Sequence, residues 1–189
     1  MQREAQTHSF DWRRLVWIAA LVAASVGFSL GFACAVPLAA FAAIAALTMH
    51  RGVALLLVLA VVLANQCVGL TALHYPFGPD TLAWAAAFAL VGVLAVLAAE
   101  SAYGSTALAH PIVAYAAAFL AAFAAYEGGF FLITILSSSG LEPYAAPVVL
   151  RIFAINAAAF LGLLMAARIA AAIGLLGGRA SLGMHQRTA

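Results

Sequence analysis

The chain alternates long apolar runs with short polar islands. Runs at 15–33, 53–73, 81–102, 111–136 and 146–173 are each near the ~20 residues that a helix needs to cross a bilayer. A sixth run, 37–49, is shorter. The islands are a junction over 34–37, the turn His50-Arg51-Gly52, a Pro/Gly segment over 75–80, a small-residue stretch over 103–109 and a loop over 137–143. Backbone groups in lipid must be bonded internally, so apolar runs of this length predict helices. Pro111 suits a helix's first turn. The pattern predicts an all-α integral membrane protein: a tail over 1–14, six transmembrane helices over 15–175 and a second tail over 176–189. The short 37–49 helix is expected to be tilted or partly buried.

Composition sharpens this. Hydrophobic residues make up 67% of the 189 and charged residues 7%, where a soluble domain carries about a quarter charged. There is no lysine, the net charge is +2, and no basic stripe is present, which excludes a nucleic-acid partner. Cys34 and Cys67 are too few for a disulfide framework and lack metal-finger spacing; a pairing of the two with each other stays open. Arg13-Arg14 before an apolar run resembles a signal peptide. Gly31, however, stands where a lipoprotein site wants leucine, so 15–33 reads as a retained first helix.

Arginine orients the bundle. With six crossings, Arg3, Arg13, Arg14, Arg51, Arg168, Arg179 and Arg187 fall on one side, and the opposite loops carry none. The positive-inside rule then places both termini in the cytoplasm. Cys67, His74, Tyr75, Asp80, Glu142 and Tyr144 fall toward the outer side, with Glu127 and Arg151 a little deeper. The inner half is nearly featureless, whereas a proton relay would carry ionisable groups through the full depth. The pattern predicts an outward-facing cup.

The stretch Asn65-Gln66-Cys67-Val68-Gly69, then His74-Tyr75-Pro76-Phe77-Gly78-Pro79-Asp80, brings amides, a thiol and an imidazole into that cup. On a continuous helix Cys67, Thr71 and His74 share a face. They then either offer a soft-metal ligand or pack as a small buried cysteine and an interface histidine. Glu127 and Arg151 either pair with each other or border the pocket, with Asn156 below Arg151; Gly128-Gly129 lets a ligand approach the backbone. Ala19/Ala23 and Ala20/Ala24 form overlapping Ala-x-x-x-Ala patterns that suit close helix approach, although alanine is abundant throughout. Trp12, Trp17, Trp84, Tyr103 and Tyr144 suit an interfacial belt, and His50, Glu100 and His110 suit the inner ends. No phosphate-binding loop, His-Glu-x-x-His zinc motif, serine-hydrolase elbow or histidine-rich permease motif is present.

Taken together, the short helices, the outer cup, the Ala-x-x-x-Ala helix and the 65–80 motif resemble the BtuM-type cobalamin-specific S-components of energy-coupling factor (ECF) vitamin transporters. The topology resemblance covers about 12–175 and the specific motif about 65–80. The resemblance implies uptake of cobalamin across the bacterial inner membrane. It implies Cys67 as an axial cobalt ligand, with displacement of the vitamin's upper ligand as a conceivable side reaction. It implies Ala19, Ala20, Ala23 and Ala24 as the face that docks on an ECF coupling protein with its ATPases, unless the protein acts alone. Asn65, Gln66, His74, Tyr75, Asp80, Glu127 and Arg151 are expected pocket residues by depth and side only. Three other functions compete: a carrier for another vitamin or metal, a membrane enzyme with Cys67 as nucleophile and His74 as base, and an assembly subunit.

Overall fold

The computed structural model describes residues 12–31, 36–106, 110–137, 140 and 142–176. Cys34, Arg3, Arg179, Arg187 and a Cys34–Cys67 pairing lie outside the described residues. Six helices carry the described chain: α1 (Trp12–Gly31), α2 (Leu38–Thr48), α3 (Arg51–Thr71), α4 (Pro79–Thr106), α5 (Pro111–Leu136) and α6 (Ala146–Ala172), with a 3₁₀ turn at Glu142–Tyr144. All but α2 are long and apolar enough to cross a membrane. The protein is a multi-pass helical membrane protein.

Local chemistry sets the helix ends. The His110 ring accepts from the Ile112 N–H ahead of Pro111, so α5 is capped where its first amides lack partners. Asp80 lies in the first turn of α4, where the helix dipole favours an anion. The expected loop over 103–109 begins later than its composition implies, because α4 runs on to Thr106. There Thr106 bonds back to the Ala102 carbonyl 2.7 Å away, and Tyr103 stacks on Tyr115.

The helix ends sort into two levels. Arg13 donates to the Gly174 carbonyl (3.1 Å), which brings the start of α1 to the end of α6. Arg51 pairs with Glu100 at 2.6 Å, and Arg168 lies over the Tyr115 ring. This is the near end. α1 and α3 both leave it, running parallel, and are tied together in the far half by Ser25, Ser29 and Asn65. α2 brings the chain back between them.

The placement of α2 shapes the bundle. Every residue from Leu38 to Ala45 is buried. Phe28 of α1 meets Phe41 edge-on, and the Ala40 amide donates to Asn156 of α6 at 3.3 Å. The partly buried helix expected at 37–49 is thus a central one, enclosed by its neighbours. Its 11 residues are about 17 Å long at 1.5 Å per residue, little more than half of a ~30 Å hydrocarbon core.

Its depth follows from Leu38, which packs at Gly92 of α4 together with Val58 of α3. Val58 is seven residues, about 10 Å, above Arg51, and Gly92 is a similar distance above Glu100. α2 therefore fills the near half of the bundle and stops. Its walls continue past it for roughly 20 Å, from Val58 to the end of α3.

Candidate functional site

The space above α2 is a cavity of about 340 Å³. Val36 and Leu38 form its floor. Val61, Val62, Asn65, Gln66 and Gly69 of α3 form one wall, and Asp80, Thr81, Trp84 and Phe88 of α4 form the other. Ser29 of α1 closes a side, and Leu73, Tyr75 and Pro76 lie over the mouth. The volume is at the lower end of the range for small-molecule sites, which are mostly apolar with a few placed polar groups.

The way α3 ends brings the mouth into place. Leu73 N–H donates to the Val68 carbonyl and Tyr75 N–H to the Gly69 carbonyl (2.9 Å), while His74 takes a left-handed conformation (φ 57°). Such a residue stops a helix, and glycine or asparagine is the usual choice. The chain folds back so closely that a Cβ on Gly69 would stand 2.7 Å from Cδ2 of Tyr75. Absence of that Cβ lets the tyrosine ring lie against α3. Thr81 then ties the start of α4 to this segment through the Pro76 carbonyl (2.6 Å).

The polar lining divides by partnership. Asn65 is engaged on both sides of its amide. Its carbonyl oxygen accepts from Ser29, and its nitrogen donates to Ser25 (3.1 Å) and to the Val61 carbonyl (2.7 Å). Its main work is therefore to join α1 to α3, a use of buried amides common between membrane helices. Gln66 and Asp80 have no side-chain hydrogen-bond partner among the described residues and border the cavity with their polar groups free. The rings of Trp84 and Phe88 are braced from behind by Phe130 of α5, at centroid separations of 6.3 and 4.8 Å.

Of the eight residues expected in the pocket, Asn65, Gln66, Tyr75 and Asp80 line it, and Cys67, His74, Glu127 and Arg151 do not. Cys67 is exposed on α3, turned away from the face that carries Asn65, Gln66 and Gly69. The expected helical face of Cys67, Thr71 and His74 does not form, because α3 ends at Thr71 and His74 sits in the reversal beyond it. Its Nδ1 lies 3.2 Å from the Ala72 carbonyl. Arg151 is exposed on α6, and no ion pair joins it to Glu127 among the described residues. One carboxylate oxygen of Glu127 is buried without a partner. The expected cup is narrower than six helices could enclose, since α5 and α6 contribute nothing to its lining.

Sequence reasoning missed the floor and the α4 wall. A signal for the wall was present: Asp80, Trp84 and Phe88 recur every fourth residue and so stack along one helix face. Assigning Trp84 to an interfacial belt concealed it. Among the described residues no group of three or more His, Cys, Asp or Glu stands ready to hold a metal ion.

Ala19, Ala20 and Ala23 are exposed, whereas Ala24 packs against the core. Gly27 and Gly31 continue the Ala19/Ala23 row and are also exposed. This face of α1 is therefore narrow-sided and open.

The chain matches no protein-family model, no curated protein and no solved structure. The functional reading accordingly rests on the cavity.

Proposed function

We propose that this protein is a membrane carrier of the S-component type, which takes up a small molecule in the far-half cavity. The observation that carries the reading is the short central helix. It leaves open the half of the bundle where the free polar groups gather and packs the other half with alanine, valine and leucine. A site open at one end and sealed at the other suits capture on one side of a membrane followed by delivery to the other. The arginine pattern puts the sealed end in the cytoplasm. The open face of α1 suits docking on a coupling protein. Nothing in the chain itself resembles an ATP site, so energy would come from such a partner or from reorientation of the protein alone.

The volume favours a vitamin-sized ligand. Cobalamin is the second reading, implied by the resemblance at 65–80 and favoured by the accessible thiol of Cys67. A corrinoid is several times larger than the cavity as it stands. Binding it would require the 72–78 segment to move off the mouth and the ligand to extend around α3 to reach the thiol.

One experiment separates the two. Detergent-purified protein is incubated with a mixture of water-soluble vitamins including cobalamin, freed of excess, and analysed for retained compound by mass spectrometry and visible absorption. Retention of a small compound, lost in the cavity-filling variant Gln66→Trp, supports the first reading. Retained corrin bands whose shift disappears in Cys67→Ala support the second. Retention unaffected by Gln66→Trp and by Cys67→Ala would refute both sites.

A further inference from the structure

The cavity's charge and its rings narrow the ligand class, given the reading of the cavity as a ligand site. Among the described residues, Asp80 is the only formally charged one in the lining, which contains no arginine or histidine. Asp80 and Trp84 are one helical turn apart on α4, and Phe88 is one turn deeper, so a carboxylate stands above two stacked ring positions on a single face. Tyr75 faces them from the mouth. Phe130 holds Trp84 and Phe88 from behind, so these walls are pre-formed. Below them the cavity is apolar down to Leu38.

Each of these features acts in the same direction. The faces of aromatic rings carry negative potential and attract cations, tryptophan most strongly. A carboxylate beside them, exposed at the mouth, adds a full negative charge. The start of α4 holds that charge in place through the helix dipole. Ser29, Asn65 and Thr81 are already bonded within the protein. Among the described residues of the lining, Gln66 is thus left as a neutral polar group free to read the ligand. An anionic ligand would meet Asp80 with no compensating cation in the lining.

We infer that the cavity takes a small organic cation, an apolar or heteroaromatic body with one positively charged nitrogen, seated with its charge between Asp80 and Trp84.

The test measures the cavity's charge preference directly. A reporter thiol is placed in the lining by Gln66→Cys, with Thr81→Cys as an independent second reporter, both in a Cys34→Ser, Cys67→Ser background. Each is treated with three methanethiosulfonates: the trimethylammonioethyl cation, the neutral methyl reagent and the sulfonatoethyl anion. In every case the thiolate attacks the sulfenyl sulfur, the mixed disulfide forms and methanesulfinate leaves. Rates are normalised to those of 2-mercaptoethanol. The expected result is a cation-over-anion preference of about tenfold beyond the free thiol, as a carboxylate within a few ångströms produces, collapsing toward unity on adding Asp80→Asn. Equal normalised rates, a faster anion, or a preference that Asp80→Asn leaves intact would overturn the inference while leaving the cavity as a ligand site. Failure of all three reagents to reach either reporter would overturn the inference and the ligand site together.

Discussion

Gly92 is where the bundle's closest packing can be tested. It is buried in α4 against Val58 of α3 and Leu38 of α2, the residue that forms the cavity floor. A Cβ at this position would stand 2.5 Å from Cγ1 of Val58 and 3.4 Å from Cδ2 of Leu38. Carbon atoms pack favourably at about 3.5–4.0 Å, so Gly92→Ala forces a separation of about 1 Å at Val58. Valine in a helix holds essentially one χ1 rotamer and cannot swing aside. Overpacking of this kind costs about 1–3 kcal/mol, against a gain of up to about 1 kcal/mol when alanine replaces glycine in a helix. The expected net loss is about 1–2 kcal/mol. Val58→Ala alone should cost about 1–2 kcal/mol for its two lost methyl groups. In the double variant the new methyl occupies the vacated space, so the two changes should couple favourably by about 1–2 kcal/mol, well beyond the ~0.5 kcal/mol within which independent sites add. Reversible unfolding in mixed detergent–SDS micelles, followed by circular dichroism, gives all four stabilities. A neutral or stabilising Gly92→Ala, with the double variant additive, would refute this packing of α2, α3 and α4.

Three further outcomes follow from individual contacts. Asn65→Leu should lower stability in the same assay by about 1–2 kcal/mol, since two interhelical bonds to α1 are lost at about 0.6 kcal/mol each with some further desolvation; Ser29→Ala added to it should cost little more, and full additivity would contradict the shared bond. Arg51→Gln should cost about 1–2 kcal/mol, more than a fully exposed pair, because the arginine is 67% exposed but its partner Glu100 only 15%, and the carboxylate is left without its cation; no measurable loss would show that the near end does not depend on the pair. Gly69→Ala should leave the fold intact, because the clash is with a half-open ring that can move. It should nonetheless displace Tyr75 and accelerate modification of the Gln66→Cys reporter by the neutral thiosulfonate about threefold, on the scale of one lost aromatic contact; an unchanged rate would mean Tyr75 does not cover the mouth.

The helices were legible because lipid leaves the backbone no alternative, and their apolar runs are long. What sequence could not supply was depth. The run at 37–49 reads as one more crossing, and only its burial, with Leu38 at Gly92 and Ala40 at Asn156, shows that it begins midway. Periodicity also overran the end of α3: nothing in Ala72-Leu73-His74 forbids another turn, and the stop lies in the left-handed backbone of His74. That single reversal decides which polar residues meet. It draws Tyr75 onto Gly69, separates His74 from Cys67, and brings Asp80 over the same space as Gln66.

The same geometry explains why the amide pair divides its labour. Asn65 and Gln66 are consecutive, so they point about 100° apart on a helix of 3.6 residues per turn. Both border the cavity, but only Asn65 also faces α1, where Ser25 and Ser29 occupy it. Gln66 has no such neighbour among the described residues and keeps its amide free in the cavity that Asp80 also lines. A polar group within a membrane bundle is costly unless it is bonded. Asn65 meets that cost within the fold. For Gln66 the far-half cavity leaves the bonding to whatever enters it, with the exposed Asp80 standing at the mouth.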